Sequence, residues 1–201
     1  MYYDNLLSKI DADFFLYTWE SIGPQRVTDD GSFNEYCDLY HPKYHQIDTP
    51  APSLEHSYKR IVSTRRFTRT DVQPKAVVYQ AYQRWICNKM RKSRGEYDTC
   101  IVTRPDIIPS EPFNPEVLEY AKDSLLIPIG SDWVYGICDL LAIGPPHYID
   151  IYCSLYESLY TYARKGVLFH PEHLLKYHLS KYNVPIKRFS YTIHIDVRRM
   201  T

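Results

Sequence analysis

Arg104 and Asp106 stand two residues apart at the end of the stretch YDTCIVTRPD, Tyr97 to Asp106. A guanidinium beside a carboxylate suits a phosphate, a metal ion or both. Cys100, Ile101 and Val102 form a short apolar run of β-formers between Gly95 and Pro105, the pattern of an interior strand in a parallel sheet. Ligands of open α/β sheets bind at the carboxyl ends of strands. The spacing therefore predicts that Asp106 closes a central strand, in a pocket lined also by Asp132 or Trp133. The alternative is an Arg–Asp pair that serves only the strand end.

Five other positions carry acid, base or stacking chemistry. Asp132 lies in SDW beside Trp133, whose ring offers a face to a sugar, although an Asp there also suits a loop cap. Asp139 interrupts an apolar run, where an unpaired carboxylate is costly, so it needs a partner or faces a site. Glu172 follows His170 and Pro171 at a helix start, a place where a carboxylate also stabilises the helix dipole. His170 either orients a phosphate or simply precedes that helix.

The elements that must position these residues alternate between strand and helix. Ala12 to Trp19 reads as a buried strand, and residues 21–74, with Gly23, Gly31 and no sustained period, as mostly irregular. Lys75 to Lys92 carries Val78, Tyr82, Trp85, Ile86 and Met90 at helical spacing and ends in a basic turn. Asn114 and Pro115 start a short helix. Strands follow at Leu125 to Ile129 and Val134 to Ile143. Tyr148, Tyr152, Tyr156 and Tyr160 recur every four residues between Pro146 and Gly166, a core-packing helix with hydroxyls at its edge. A helix from His170 to Tyr182 and a strand from Lys187 to Val197 complete the series. It predicts an α/β fold over residues 1–201, with a mixed, mainly parallel sheet flanked by helices.

Composition narrows the function. The chain has 201 residues and 44% hydrophobic content, enough for one sizeable core. Its 24 basic and 24 acidic side chains cancel, so no global field selects a nucleic acid or an anionic surface. Five dispersed cysteines without a CxxC suggest neither a disulfide framework nor a zinc site, and a cytoplasmic, reducing setting is expected. No apolar run is long enough to span a bilayer. The GxGxxG, GxxxxGK[ST] and GxSxG signatures are absent.

The ordered segments ADFFLYTW, YDTCIVTRPDI, SDWVYGICDLLAIG and HPEHLLKYHL resemble a family of glycosyltransferases found in bacteria and large DNA viruses, marked by an R-P-D tripeptide after a strand. The resemblance covers most of Asp11 to Arg198. It implies a Rossmann-like GT-A domain that moves a sugar from a nucleotide-sugar donor to a hydroxyl of a glycan acceptor, in the host cytoplasm if the protein is viral. In that type a DxD motif ends a strand and holds a divalent metal, Mn or Mg, against the donor diphosphate. Asp106 matches the last carboxylate of the motif, and Arg104 stands in place of the first. A guanidinium can take over part of a metal's charge neutralisation. The family's opening strand has no counterpart before Ala12, so the expectation is a fragment or a chain with a reduced nucleotide pocket. The resemblance thus implies Arg104, Asp106, Trp133 and His170 around the donor, Asp106 on the metal, and Glu172, Asp132 or Asp139 as the base.

Two other functions compete. Lys59, Arg60, Arg65, Arg66 and Arg69, interleaved with Tyr58 and Phe67, match a nucleic-acid-binding run of cations and stacking rings. The other is an inactive fold relative that serves in protein contacts.

Overall fold

Apolar runs punctuated by proline and glycine set the elements. The computed structural model describes residues 9–19, 41–49, 52–104 and 106–195. In chain order these form β1 (Phe15–Trp19), β2 (Tyr44–Asp48), α1 (Pro52–Val62), β3 (Thr68–Arg69), α2 (Pro74–Lys92), β4 (Cys100–Thr103) and β5 (Ile107–Pro109). A 3-10 helix at Pro115–Ala121, β6 (Leu125–Pro128) and a 3-10 turn at Trp133–Tyr135 come next. They are followed by β7 (Leu141–Gly144), α3 (Pro146–Cys153), α4 (Leu155–Lys165), β8 (Leu168–Phe169), α5 (Pro171–Lys181), β9 (Ile186–Phe189) and β10 (Ile193–Ile195).

The main sheet has the order β4-β7-β6-β9. β7 runs antiparallel to both β4 and β6, and β9 runs parallel to β6. Every residue of β6 and β7 is buried, so LLIP and LAIG form the centre of the sheet. Pairs β1–β2 and β3–β8 are parallel, and β5–β10 is antiparallel. An α/β architecture with a mixed sheet is thus present. Parallel and antiparallel pairs among the described residues are equally represented, so "mainly parallel" does not describe it. The physical reason is what the connections hold. Residues 129–140, with only a 3-10 turn among them, lead the chain back antiparallel from β6 to β7, whereas α3, α4 and α5 lie between β6 and β9 and permit the parallel crossover.

Cys100–Thr103 was expected to be an interior parallel strand and instead lies at one end of this order, with β7 as its antiparallel ladder partner. Only Cys100 is fully buried there. Several boundaries also move. Residues 52–62 are helical rather than irregular, and strands occupy Tyr44–Asp48 and Thr68–Arg69; residues 20–40 lie outside the described set. The expected strand from Val134 narrows to Leu141–Gly144, because Val134 and Tyr135 take positive φ values of 52° and 59°. The tyrosine helix breaks at Ser154 into α3 and α4. The last strand divides into β9 and β10, which join different sheets. The Asn114 side chain does cap the 3-10 helix, accepting from the Glu116 N–H at 3.0 Å.

Helices α3, α4 and α5 meet at His178, which is completely buried. Its Nε2 lies 2.8 Å from the Ile151 carbonyl, an acceptor only, so the ring carries its proton there. Nδ1 is then the acceptor for the Tyr162 hydroxyl at 2.7 Å. Ser154 Oγ completes the network 3.1 Å from Nε2. One apolar cluster gathers the buried residues of sheet and helices. Among the described residues no helix is long and apolar enough to cross a membrane.

Burial pushes the His178 pKa down from 6.5 to about 4. Between those values the unfolded chain binds a proton that the folded chain refuses. The contribution of His178 is therefore intact above pH 6.5 and lost as the pH falls toward about 4. The shift corresponds to a few kcal/mol, on the order of 3. Denaturant titrations at pH 7 and pH 4.5 should show the wild type losing more stability than His178→Gln over that interval. Parallel losses in both proteins would show that His178 does not carry the effect.

Candidate active site

A buried carboxylate anchors the site. Asp139 is 4% exposed and precedes β7, where the chain enters the sheet from the 130–140 loop. Unpaired, it would be among the costliest groups in the core. Two side chains one turn apart on α2 reach it: Arg84 Nη2 donates to Asp139 Oδ2 at 3.0 Å, and Gln80 Nε2 donates to the same oxygen at 3.0 Å. Arg84 also donates to the Asp139 carbonyl at 2.5 Å, and the Tyr152 hydroxyl donates to that carbonyl at 3.0 Å. The carboxylate that sequence marked as needing a partner is therefore a structural ion pair. Its charge still faces the neighbouring site.

That neighbour is the first turn of α5. Pro171 occupies the first helical position, where its missing N–H leaves nothing unsatisfied, and Glu172 follows at 8% exposure. Glu172 Oε2 lies 2.6 Å from Nδ1 of His170, itself 5% exposed. The separation is that of a strong hydrogen bond, the angle is not, and neither atom has a hydrogen-bond partner among the described residues. Burial raises the Glu172 pKa to about 7; the Asp139 carboxylate adds to the rise, and the Arg84 and Arg104 cations oppose it. Burial also holds His170 below the ordinary imidazole range, against the pull of Asp71 and Asp139. The result is a carboxyl group poised to exchange a proton near neutral pH.

The loop before Asp139 is fastened to this helix start. Ile137 N–H donates to the Glu172 carbonyl at 3.2 Å, and Lys176 Nζ donates to the Tyr135 carbonyl at 3.0 Å. His173 Nδ1 lies 3.2 Å from the Val134 carbonyl. Val134, a β-branched residue at φ 52° and ψ 48°, is a strained backbone site that these contacts hold in place. Asp132 closes the loop: it accepts from the Cys138 N–H at 2.8 Å and from Arg188 at 2.9 and 3.0 Å. Asp132 is thus occupied in loop closure, while Trp133 and Tyr135 are 64% and 88% exposed at its tip.

Arg104 and Asp106 face each other. Arg104 Nε donates to Asp106 Oδ1 at 2.8 Å and Nη2 to Oδ2 at 2.5 Å, a bidentate pair. Their placement matches the strand-end pair weighed against the ligand-binding reading. Two surface clefts, of about 570 and 460 Å³, lie elsewhere: the first is bordered by Tyr120, Leu126, Arg188 and Phe189, the second by Trp85, Lys89 and Asp150. Asp106, Asp132 and Trp133 line neither. The donor set does not fit a resident divalent metal as placed. Asp106 shares both oxygens with a cation, and among the described residues no three His, Cys, Asp or Glu side chains gather to join it.

The basic run is partly absorbed by packing. Arg60 lies 3.8 Å over the Tyr160 ring, Lys59 faces Glu55 at 3.9 Å, and Phe67 packs on Phe169. Arg65 and Arg66 remain exposed, and the Arg69 side chain lies outside the described set. Comparison with protein-family models and with curated proteins finds no match to the chain.

Of the residues singled out from sequence, Glu172, His170 and Asp139 come together, and Arg104 reaches Glu172 through its charge. Sequence reading missed Arg84, Gln80 and Gly136. A lone Arg in the α2 sequence YQRW gives no sign of a partner 55 positions away. Gly136 gives none either, yet a Cβ built on it would sit 2.3 Å from the Glu172 carbonyl carbon and 2.5 Å from its Cβ.

Gly136→Ala should therefore cost about 1–3 kcal/mol or more and displace the start of α5, as read by thermal melting and by lowered hydrogen-exchange protection in that turn. An unchanged melt would show that the loop is not packed against Glu172. Glu172→Gln tests the carboxyl itself. The folded pKa lies above the unfolded one, so the buried charge lowers stability as the pH rises from about 4.5 through about 7. The variant should gain on the order of 2–3 kcal/mol relative to wild type between pH 4.5 and pH 8. A constant difference across that range would contradict the assignment.

Proposed function

We propose that the chain is a nucleotide-sugar-dependent glycosyltransferase in which Glu172 is the general base for the acceptor hydroxyl. The observation that carries the reading is a carboxyl group, buried at a helix start beside Asp139, with its pKa raised to about 7. It is supported by the position of Glu172 in HPEHLL and by the R-P-D tripeptide after β4, both part of the sequence resemblance.

Glycosyl transfer needs a group that accepts the acceptor's proton and a group that receives the leaving diphosphate's charge. Glu172, once ionised, is the first. Arg104 is the second, because its planar fork binds phosphate oxygens in the way it now binds Asp106. Asp106 then acts as the ligand's stand-in on Arg104, and the donor diphosphate displaces it. Asp139 holds its charge next to Glu172, and Trp133 and Tyr135 offer exposed rings to sugar faces. No step requires a metal. The closed Arg104–Asp106 pair favours a second reading, a relative of the fold that has lost transfer and retains only structural contacts.

Calorimetry and turnover with a panel of nucleotide sugars separate the two. Glu172→Gln should lower turnover by roughly a hundredfold or more with donor affinity little changed. Arg104→Ala should weaken nucleoside diphosphate binding by about 1.5–3 kcal/mol, and Asp106→Asn should not weaken it. Absence of binding to every nucleotide sugar, with manganese or with a chelator, would reject transfer and leave the structural reading.

A further inference from the structure

We propose that His170 is a positioning residue for Glu172: its Nδ1–H donates to Oε2 and leaves Oε1 as the carboxyl atom that takes up and releases the proton. The use of that proton in sugar transfer rests on the function proposed above; the pairing itself does not.

Two buried polar atoms, Nδ1 of His170 and Oε2 of Glu172, lie 2.6 Å apart but off the line of a ring N–H, and neither has a hydrogen-bond partner among the described residues; the proposed bond forms when the two side chains turn into line. Left unmade, each would carry the desolvation cost of a buried unsatisfied group, and one proton between them satisfies both. The ionised carboxylate is acceptor-only, so the proton belongs to the ring nitrogen; the other tautomer would set two lone pairs against each other. When Oε1 takes up a proton, Oε2 remains an acceptor and the same bond persists. The carboxyl thus changes charge without losing its orientation.

The backbone supports this arrangement. His170 is the extended residue before α5, with φ −128° and ψ 138°, and its carbonyl accepts from the Leu174 N–H at 2.8 Å. Pro171 alone separates the two side chains, and its ring fixes φ between them. The charged groups around the pair come from several elements. The Asp71 and Asp139 carboxylates and the His173 ring face His170; Asp139, Arg84 and Arg104 face Glu172. Burial opposes a second proton on the His170 ring and outweighs the Asp71 and Asp139 carboxylates, which favour it, leaving a neutral imidazole with a single N–H.

Side-chain 1H–15N correlation spectra of the labelled full chain between pH 5.5 and 8.5 read the tautomer directly. His170 should show the neutral Nδ1–H pattern, opposite to the Nε2–H pattern of His178, which serves as an internal reference. A neutral Nε2–H ring, a mixture of tautomers, or an imidazolium at pH 7 would overturn the proposal. Two variants connect the bond to function. His170→Asn keeps an amide donor near the same place and should retain the parental pH profile. His170→Leu removes the donor and should shift the acid limb of kcat upward by about one pH unit, since a hydrogen bond to the ionised form is lost. KM for the acceptor should hardly move. A parental pH profile in His170→Leu would contradict the positioning role. The Nδ1–H pattern without sugar transfer would leave this pairing intact and reject the proposed function, whereas transfer without the pattern would do the reverse.

Discussion

The Asp139 carboxylate inside the core is the constraint on which the site depends. Burying one charge next to the centre of a sheet is prohibitive without compensation, and Arg84 and Gln80 of α2 supply it across more than fifty residues of sequence. The pair ties α2 to the entrance of β7 and, with the Tyr152 hydroxyl, fixes the backbone at Asp139. It also places the ion pair beside Glu172. Burial makes that second carboxyl resist ionisation, the Asp139 carboxylate adds to the effect, and Arg84 opposes it in part.

Geometry and electrostatics are linked through one short piece of chain. The 130–138 loop carries a strained Val134, closes on Asp132 and Arg188, and packs Gly136 against the backbone of Glu172. Any widening of that contact would admit water to the helix start and weaken the desolvation that lifts the Glu172 pKa. The same loop presents Trp133 and Tyr135 outward. Strain at a rigid loop tip beside a perturbed carboxyl is the kind of local cost that folds carry where they bind something.

Local signals made much of this legible in the sequence. Helix α2 was readable from its apolar spacing, α5 from His170, Pro171 and its terminating Asn183, and the 3-10 helix from Asn114 and Pro115. Asp139 was marked by its polarity within an apolar run and Glu172 by its place at a helix start. What failed was non-local. An apolar tetrad such as CIVT cannot state whether it sits in the centre or at the end of a sheet, because pairing is decided by partners far along the chain. The stretch from Val134 looked extended until its contacts with α5 selected a left-handed turn. The helix at Pro52–Val62 lay inside a proline-containing region whose composition hid its apolar face, and Arg84 declared nothing until Asp139 was beside it.

The central claim is that Glu172 is a buried acid poised near neutrality by its surroundings. Carboxyl carbon chemical shifts of 13C-labelled protein, followed from pH 3 to 9 and assigned by the signal lost in Glu172→Gln, measure its ionisation without reference to any substrate. The account expects the Glu172 resonance to titrate with a midpoint of about 7. A midpoint near 4.5, the value of an ordinary glutamate, would contradict it.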